Sequence, residues 1–198
     1  MYSQSTGLFA ASHAEKVENF QTSFRKLIDD KYSKTYTPEQ IYGYIYAVLH
    51  SPTYRTKYFE FLKIDFPRIP FADSSETFEV ISELGWQLAQ THLLKQVPSG
   101  NVYSTMGIYS GNGDNIVLKP EYLDNKLHIN KTQYFDNVPA EIYNFHIGCY
   151  QVLDKYIKDR KGRTLTLPEI TNIESIIKVL SFTIKQMEQI DLLTIDWI

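Results

Sequence analysis

The spacing of apolar residues changes twice along this chain, and the change limits the folds that it can adopt. Up to Gln96, and again from Thr166, apolar residues recur every three or four positions, as they do on amphipathic helices. Within residues 102–134 they form short alternating runs separated by Gly, Asn and Asp, which is typical of strands joined by turns. We therefore expect one α+β domain, in which a helical layer with long amphipathic helices lies beside a small antiparallel sheet.

Two capping boxes mark the first and the last of these helices. Thr37 with Gln40, and Thr166 with Glu169, each place a hydroxyl and a longer polar side chain three residues apart, where both can bind free backbone N–H groups of a helix start. The apolar residues that follow keep to one face of each helix, and we expect that face to pack on the core. They are Ile41, Tyr44, Ile45, Val48 and Leu49 in the first helix, and Ile173, Ile177, Leu180, Ile184 and Met187 in the last.

Two more helices are predicted between these. Ser51 ends the first helix because Pro52 follows it, and Pro52 suits the first position of the next helix. Asp73 with Glu76 predicts the cap of a third helix, which covers residues 76–96. The helix after Pro52 is expected to turn Tyr58, Phe59 and Leu62 inward and Arg55, Lys57 and Lys63 outward.

The alternating part of the chain predicts short strands. Residues 102–109 and 116–119 flank the segment 111–115, whose sequence GNGDN is typical of a hairpin connection. Because the segment lacks the spacing GxxxxGK[ST], and no GxGxxG opens a helix, it is not predicted to bind phosphate. Residues 127–130 and the run NFHI supply further strands.

A strand that turns into a basic helix is predicted at residues 141–163. Before Gly148, strand formers alternate with Asn144 and His146, so one face is expected to be buried and the other to present an amide and an imidazole. After Gly148 the apolar residues follow helical spacing, cations gather towards the far end, and Gly162 is the expected stop. The strand formers are Ile142, Tyr143, Phe145 and Ile147, the helical stripe is Val152, Leu153, Tyr156 and Ile157, and the cations are Lys155, Lys158, Arg160, Lys161 and Arg163.

The net charge of −3 argues against a protein that holds nucleic acid by its overall charge, because that interaction depends on many Lys and Arg contacts with phosphate. A DNA-binding role would require a local basic face. Two such faces are available, and an ordinary solvated helix surface is the alternative for both. One is formed by the cations of residues 155–163, and the other by Arg55, Lys57, Lys63 and Arg68.

Signals for export and for metal binding are absent from the sequence. No apolar stretch approaches the ~18 residues that cross a bilayer, and the N-terminus lacks the order of a signal peptide, so we expect a soluble, cytoplasmic protein. The single cysteine cannot form an internal disulfide. The five histidines are scattered singly, so no metal site is indicated.

Cys149 and His146 are the only pair of nucleophile and base that lie close together in the sequence. A thiolate site is one interpretation, because the two side chains could approach each other at the turn. The favoured interpretation is a buried small thiol and a histidine in a strand, because free cysteine is among the most buried residue types.

Three segments of the chain together resemble one known family. They are SPTYRTKYFEFLKIDFPRIPF, IYNFHIGCYQVLDKYIKDRKGR and the later helix ITNIESIIKVLSFTIKQMEQID. They are similar to the C-terminal target-recognition domain of single-chain Type ISP restriction-modification enzymes. The three segments occur in the same order as in the family. Together with the segments between them, they cover residues 19–191. The family usually carries a second glycine where Cys149 stands and a tryptophan where Tyr156 stands.

The resemblance implies a DNA target-recognition domain, or specificity domain, of a bacterial defence enzyme. Such a domain reads a specific duplex site, so that separate parts, an N6-adenine methyltransferase and a helicase-nuclease, can act. S-adenosylmethionine, ATP and Mg are expected only in those parts, because the sequence motifs of all three activities are absent from this chain. The chain is expected to be non-catalytic by itself, with residues 1–18 as a flexible lead-in and residues 19–198 as a single domain.

Recognition of DNA requires cations that contact phosphates and polar groups that contact base edges. A scaffold domain, which holds a partner protein through its long last helix and aromatic surface, is the alternative. A DNA reader should place both groups of cations on one concave face, whereas a scaffold should expose an apolar strip along residues 173–187. The residues predicted for phosphates are Arg55, Lys57, Lys155, Lys158, Arg160, Lys161 and Arg163, and those for base edges are Asn144, His146, Gln151 and Tyr54.

Overall fold

The computed structural model describes residues 2–3 and 17–194, and the chain divides into two compact units. Unit 1 comprises Met1–Ala89 and Gln186–Ile198, and unit 2 comprises Gln90–Lys185. Long helices and small antiparallel sheets make up the described part, which confirms the predicted α+β class. The lead-in and the domain boundary stay predictions, because residues 1 and 4–16 lie outside the described part.

The helices in the described ranges are α1 (Thr22–Tyr32), α2 (Pro38–His50), α3 (Pro52–Lys57), α4 (Phe59–Leu62), α5 (Ser75–His92), α6 (Asn101–Ser104), α7 (Ala140–Tyr143), α8 (Val152–Lys158) and α9 (Leu167–Thr194). The strands are β1 (Tyr2–Ser3), β2 (Val17–Glu18), β3 (Ile108–Ser110), β4 (Glu121–Leu123), β5 (Lys126–His128), β6 (Tyr134–Asp136), β7 (His146–Ile147) and β8 (Tyr150–Gln151). β1 pairs with β2, β7 pairs with β8, and the other four form one sheet in the order β3, β6, β5, β4. None of the described helices is both long and apolar enough to span a bilayer.

Helix α2 begins as the sequence predicts. The Thr37 hydroxyl accepts a hydrogen bond from the Gln40 backbone N–H at 3.3 Å, and the Gln40 side chain accepts one from the Thr37 backbone N–H at 2.9 Å. These two bonds are the predicted capping box. The predicted boundary at Ser51 and Pro52 is also confirmed, because Ser51 lies between the end of α2 and the start of α3.

The third predicted helix is α5, but its ends differ from the prediction. Ser74, rather than Asp73, caps it, because the Ser74 hydroxyl accepts a hydrogen bond from the backbone N–H of Thr77 at 3.1 Å. The helix ends at His92, earlier than predicted. Leu94 has a left-handed φ of 54°, which is not a helical conformation and so stops the helix.

A pair of glycines lets α2 and α5 approach each other closely. A Cβ atom added to Gly43 would lie 2.2 Å from a carbonyl oxygen of α5, and one added to Gly85 would lie 1.9 Å from the Gly43 carbonyl oxygen. No side chain fits at either position, so the two backbones touch. Ile41, Tyr44 and Val48 of α2 are 0% exposed, as predicted for its core face.

Three buried tyrosines hold the proline-containing segment 68–72. The hydroxyls of Tyr54, Tyr44 and Tyr32 donate to the carbonyl oxygens of its first, third and fifth residues, respectively, at distances of 2.7 to 3.0 Å. Prolines within and before the segment prevent regular backbone pairing, so its carbonyl groups need side-chain partners. Tyr54 is 1% exposed and belongs to this core, which leaves it unable to contact a base.

The helix predicted after Pro52 is broken in two at Tyr58. The φ of −105° and ψ of 15° at Tyr58 are not helical, so the faces of α3 and α4 follow different registers. Tyr58 and Leu62 are half-buried, but Phe59 is 56% exposed. The prediction that Phe59 faces inward is therefore wrong.

The four-stranded sheet and its core belong to unit 2. β6 pairs with β3 on one side and with β5 on the other, so Phe135 has Tyr109 and Leu127 as neighbours across the strands. Phe135 and Leu127 are 0% and 1% exposed, which places them on the buried face of the sheet. The same core contains Met106, Val117, Ile129, Val138, Ile142, Leu153, Ile157, Leu165, Ile170, Ile173, Ile177 and Leu180.

Two of the predicted strands have a different structure. Residues 102–109 do not form one strand, because α6 occupies the start and Gly107, with a φ of 68°, turns the chain before β3. Residues 116–119 form no strand, and Ile116 makes only an isolated bridge with Thr164. The strand predicted at residues 127–130 is found as β5.

Helix α9 buries the apolar stripe that its sequence predicts. Ile173 and Ile177 are 0% exposed and Leu180 is 4% exposed. Ile184 and Met187 are half-buried. The exposed apolar strip expected of a scaffold is therefore absent from this face of the described helix.

Replacing Leu180 with alanine is expected to lower the free energy of unfolding by about 2–5 kcal/mol, the range for emptying a packed aliphatic site. Leu180 lies in the core of unit 2. The matched control is Leu167→Ala, at a position of the same helix that is 75% exposed, where we expect a change below about 0.5 kcal/mol. Equilibrium unfolding in urea measures both changes. Equal effects of the two substitutions would contradict the packing described for α9.

Candidate nucleic-acid interface

The centre of the predicted site is a two-stranded hairpin. β7 and β8 pair with Ile147 opposite Tyr150, and the loop between them is Gly148 and Cys149. Gly148 has a φ of 59°, and a type II′ turn places glycine at this first central position. Cys149 has no left-handed φ, so the turn requires one glycine and accepts a cysteine after it.

The strand predicted before this loop is only partly right. Residues Ala140–Tyr143 form the short helix α7, and the strand is limited to His146–Ile147. Pro139 has a φ of −54°, and its carbonyl oxygen accepts a hydrogen bond from the Ile142 N–H at 3.0 Å, which starts a helical turn. The turn removes the predicted alternation, and Ile147 is 57% exposed instead of buried.

Cys149 is exposed at the tip of the hairpin, so the prediction of a buried thiol is wrong. The His146 ring is bound elsewhere, since its Nδ1 lies 2.6 Å from the Asn144 carbonyl oxygen. Among the described residues, no group of His, Cys, Asp and Glu is arranged to hold a metal ion.

The three polar residues predicted to contact base edges have different surroundings. The Gln151 amide nitrogen donates to the Tyr143 carbonyl oxygen at 2.7 Å and is therefore committed to the backbone. Asn144 and His146 are exposed. The Asn144 side chain has no hydrogen-bond partner in the part of the chain that the structure describes. Asn144 is thus the best placed of the three to bind a base edge, and the assignment stays a prediction.

Tyr143 joins the base of the hairpin to α8 and to the sheet. Its ring stacks on the Tyr122 ring, with centroids 4.1 Å apart and planes 5° from parallel. Its hydroxyl donates to the Asp154 carboxylate at 3.1 Å. Burial and the hydrogen bond to Asp154 raise the pKa of Tyr143 to about 12, so the hydroxyl remains a donor at neutral pH.

The lysines of α8 are paired with carboxylates one turn away. Lys158 Nζ lies 2.7 Å from Asp154 Oδ2, and Lys155 Nζ lies 2.9 Å from Asp159 Oδ2. Exposed pairs of this kind contribute little stability, but they reduce the local positive potential. Lys161 forms no ion pair with any residue of the described ranges.

Glu169 binds both arginines of the basic end. Its Oε1 accepts hydrogen bonds from Arg160 Nε at 3.2 Å and from Arg163 Nη2 at 3.0 Å. Its Oε2 accepts one from the Thr166 backbone N–H at 3.0 Å, and the Thr166 hydroxyl accepts one from the Glu169 N–H at 3.3 Å. These bonds confirm the capping box. The same carboxylate therefore caps the start of α9 and binds the part of the chain that precedes it.

Arg160 is bound more tightly than the other cations. Its guanidinium lies 3.6 Å from the centroid of the Tyr156 ring and donates to the Tyr156 carbonyl oxygen at 2.8 Å. The Tyr156 hydroxyl in turn accepts a hydrogen bond from Asn172 at 2.8 Å. The Arg160 side chain is 19% exposed, whereas those of Lys158 and Arg163 are each 59% exposed. Arg160 therefore links α8 to α9, and the other two present their charges to solvent.

The loop after α8 is attached to the middle of unit 2. Gly162 N–H donates to the Val117 carbonyl oxygen at 2.7 Å, and Val117 N–H donates to the Arg163 carbonyl oxygen at 2.9 Å. Helix α8 ends at Lys158, before the predicted stop, and Gly162 forms the turn with a φ of 81°. The exposed cations of this loop are thus held on a fixed backbone.

The second predicted group of cations lies in unit 1. Arg55 and Lys57 are in the last turn of α3 and are exposed. The Lys57 ammonium lies 5.6 Å from the centroid of the Tyr58 ring. Because the other predicted cations lie in unit 2, the expectation of one shared concave face stays a prediction.

Large apolar side chains are exposed immediately after α3. Phe61, Ile64 and Phe66 are 67%, 81% and 90% exposed. Together with two prolines, they line an open cavity within unit 1 that has a volume of about 650 Å³. Contiguous exposed apolar surface on a folded domain commonly marks a contact with another protein surface.

A family model described as the Type ISP C-terminal specificity domain matches residues 1–189. The chain belongs to this family. The match begins at residue 1, so the family sequence extends beyond the expected start at Asn19 and includes the predicted lead-in. Comparison with curated proteins finds no match.

Three solved structures share the fold of this specificity domain. A nuclease-deletion mutant of the Type ISP enzyme LlaGI, in complex with a DNA substrate mimic, is 23% identical over 76% of this chain, with a TM-score of 0.58. The ATP-dependent Type ISP enzyme LlaBIII bound to DNA is 18% identical over 96%, with a TM-score of 0.68. A DrdV–DNA complex is 18% identical over 90%, with a TM-score of 0.65. The specificity domain spans 13%, 13% and 20% of the three chains, respectively.

The surroundings of Glu169 lower the pKa of its carboxyl below the ordinary value. The Thr166 backbone N–H is the largest cause, the Thr166 hydroxyl and the charges of Arg163 and Arg160 act in the same direction, and partial burial opposes them. A carboxyl whose pKa is lower in the folded than in the unfolded protein stabilises the fold above the unfolded pKa. That contribution is lost as the pH falls through the folded pKa.

We therefore expect Glu169→Gln to lower the free energy of unfolding at neutral pH and to make its loss below the ordinary glutamate pKa of about 4.3 shallower than in the wild type. Urea unfolding at several pH values measures the slope. Glu188→Gln, at an exposed position of α9, is the control and should keep the wild-type slope. A Glu169→Gln variant with the wild-type slope would show that the native contacts of Glu169 do not favour its ionised form.

Proposed function

We propose that this chain is the DNA target-recognition domain of a restriction-modification enzyme. In this proposal it reads a specific duplex site, so that an N6-adenine methyltransferase part and a helicase-nuclease part can act. The observation that carries the proposal is the match of residues 1–189 to the Type ISP C-terminal specificity domain. The LlaGI, LlaBIII and DrdV structures support it, because each has this fold and is a complex with DNA or with a DNA substrate mimic.

The cations around the end of α8 are proposed to contact phosphates. Phosphate contacts fix the register of a protein on the duplex, and this requires charges that are exposed and held on a rigid backbone. Lys158, Lys161 and Arg163 meet both conditions, while Arg160 acts by holding the loop. The full set proposed to bind or support DNA is Arg55, Lys57, Lys155, Lys158, Arg160, Lys161 and Arg163.

The exposed polar groups before the hairpin loop are proposed to contact base edges. An asparagine amide can pair with adenine through two hydrogen bonds in the major groove, and an imidazole can bind a single acceptor or donor. Asn144 and His146 have the required exposure. Gln151 is proposed to support the hairpin, because its amide nitrogen is already bound to Tyr143.

The proposal gives this chain no catalytic role by itself. The match to this chain spans only 13–20% of the length of the three matched chains. We therefore place the methyltransferase, helicase and nuclease activities, with S-adenosylmethionine, ATP and Mg, in other parts of the enzyme. A cytoplasmic location is proposed on the same basis, because bacterial DNA is found there.

The exposed apolar surface of unit 1 is proposed to contact those other parts of the enzyme. Phe61, Ile64 and Phe66 would lose unfavourable exposure if the methyltransferase or helicase-nuclease part covered them. This places a protein contact on the segment after α3. It leaves α9 with a core role, because the stripe along α9 is buried.

Replacing Lys158 and Lys161 together with alanine is expected to weaken binding to all duplexes alike. If both contact phosphates, the slope of log affinity against log salt should fall by about 0.9 for each lost contact. Fluorescence anisotropy with a labelled duplex, at about 50 to 200 mM salt, measures affinity and slope together.

The matched control is the double substitution Lys26→Ala and Lys31→Ala, which removes two exposed lysines of α1. It should leave the salt slope unchanged. An unchanged affinity and slope for the Lys158 and Lys161 variant would mean that these lysines are only a solvated surface.

The chain alone is expected to transfer no methyl group to DNA, to cut no DNA and to hydrolyse no ATP. The physical reason is that the sequence lacks the motifs that bind the methyl donor, the ATP phosphates and the nuclease metal. Purified protein is incubated with duplex DNA and labelled S-adenosylmethionine, or with ATP and Mg. A mock preparation gives the background. Turnover that exceeds this background, and that disappears when the protein is removed, would contradict the proposal.

A further inference from the structure

The tip of the β7–β8 hairpin carries two exposed apolar side chains. Ile147 and Tyr150 are each 57% exposed. They are directly opposite each other in the antiparallel pair, so both side chains project from the same face of the hairpin. Such a cross-strand pair stabilises the hairpin only modestly, and it leaves more than half of each residue exposed to water.

The hairpin that carries them is rigid at its base. Val152 N–H donates to the Phe145 carbonyl oxygen at 3.1 Å, and the Gln151 amide donates to the Tyr143 carbonyl oxygen at 2.7 Å. The ring stack and hydroxyl of Tyr143 then connect the hairpin to the sheet and to α8. The tip is therefore a fixed projection.

Positive charge lies beside the apolar face. The Lys155 ammonium is 5.7 Å from the centroid of the Tyr150 ring, and α8, which carries Lys158, follows β8 without a break. A surface that combines nonpolar side chains with adjacent lysines suits a groove of duplex DNA, in which base edges lie between rows of phosphates. The other tight hairpin of unit 2 differs, because Asp124 and Asn125 form its loop beside the exposed Leu123.

We propose that the hairpin tip enters a groove of duplex DNA, where the Tyr150 ring and the Ile147 side chain make nonpolar contact with bases of the recognised site. The inference rests on the proposed function and extends it to residues that are neither cations nor base-edge hydrogen-bonding groups. The major groove, about 12 Å wide, admits a two-stranded ribbon of this kind. The apolar group that bases present in the major groove is the thymine methyl, and aromatic and aliphatic side chains can contact it.

The first test measures the binding of Tyr150→Ala. Duplexes with a randomised core are incubated with the full wild-type chain, and the bound fraction is sequenced to obtain the preferred site. Tyr150→Ala is expected to bind that site ~5- to 150-fold more weakly, as for the loss of one specific base-pair contact, and to bind unselected duplexes as the wild type does. Tyr150→Phe keeps the ring and should retain wild-type affinity.

Leu123→Ala is the matched control for exposure, because Leu123 is 56% exposed next to a two-residue hairpin loop in the same unit. It should not change binding to either kind of duplex. If Tyr150→Ala unfolds at the same temperature as the wild type, any loss of affinity arises from the lost contact and not from unfolding. A Tyr150→Ala variant that binds the selected duplex as tightly as the wild type overturns the inference.

The second test uses Cys149, which is exposed within the hairpin loop and is the single cysteine of the chain. An uncharged maleimide modifies it, and the rate is followed with and without the selected duplex. A tip inside a groove is expected to react several times more slowly when DNA is bound. An equal rate in a saturated complex overturns the inference.

The outcomes separate this inference from the proposed function. If the wild type selects no sequence from the pool, the proposed function fails and the inference fails with it. If the wild type selects a site, but Tyr150→Ala binds that site with wild-type affinity and DNA does not slow the modification of Cys149, only the inference fails. If Tyr150→Ala loses binding to the methyltransferase part but keeps its DNA binding, the tip is a protein contact and the inference is overturned.

Discussion

The Glu169 carboxylate is the interaction on which the basic end of unit 2 depends. One oxygen accepts hydrogen bonds from Arg160 and Arg163, and the other accepts one from Thr166, so a single group closes the loop and begins α9. Charge-assisted bonds of this kind are stronger than neutral ones. They hold the loop in one arrangement, from which Lys161 and Arg163 are exposed. A fixed arrangement of charge is what phosphate contacts require if they are to set a register on DNA.

Side chains also replace backbone hydrogen bonds in unit 1. The hydroxyls of Tyr32, Tyr44 and Tyr54 satisfy carbonyl groups that the prolines prevent from pairing in a helix or sheet. Each ring fills the core while its hydroxyl binds the segment, so one residue provides both apolar burial and a polar partner. The segment next to these contacts leaves its own ring outside, since Phe66 is 90% exposed. Core packing in unit 1 therefore does not account for Phe66, and its exposure supports the proposed contact with another part of the enzyme.

Features that depend on neighbouring residues could be predicted from the sequence. The capping boxes at Thr37 and Thr166 are confirmed because both partners of each lie within one helical turn. The strand predicted before Gly148 is limited to His146–Ile147 because Pro139 starts a helical turn. The pairing of Arg160 could not be predicted, because Glu169 is nine residues away and belongs to the next helix. The exposure of the hairpin tip depends on the register of β7 and β8, and a shift of one residue reverses the faces.

The ion pairs also bear on how a net acidic domain could contact DNA. Lys155, Lys158 and both arginines already bind carboxylates, so a phosphate contact exchanges one ion pair for another and gains less than a free cation would. Binding to random DNA is then weak. Nonpolar contacts at Tyr150 and Ile147 add affinity only where the bases fit, and salt screens them little. Because a specificity domain competes with a large excess of non-specific sites, the ratio of the two affinities determines its selectivity. Paired cations lower both affinities alike, so in this proposal the nonpolar tip, which adds only to the specific affinity, is what raises the ratio.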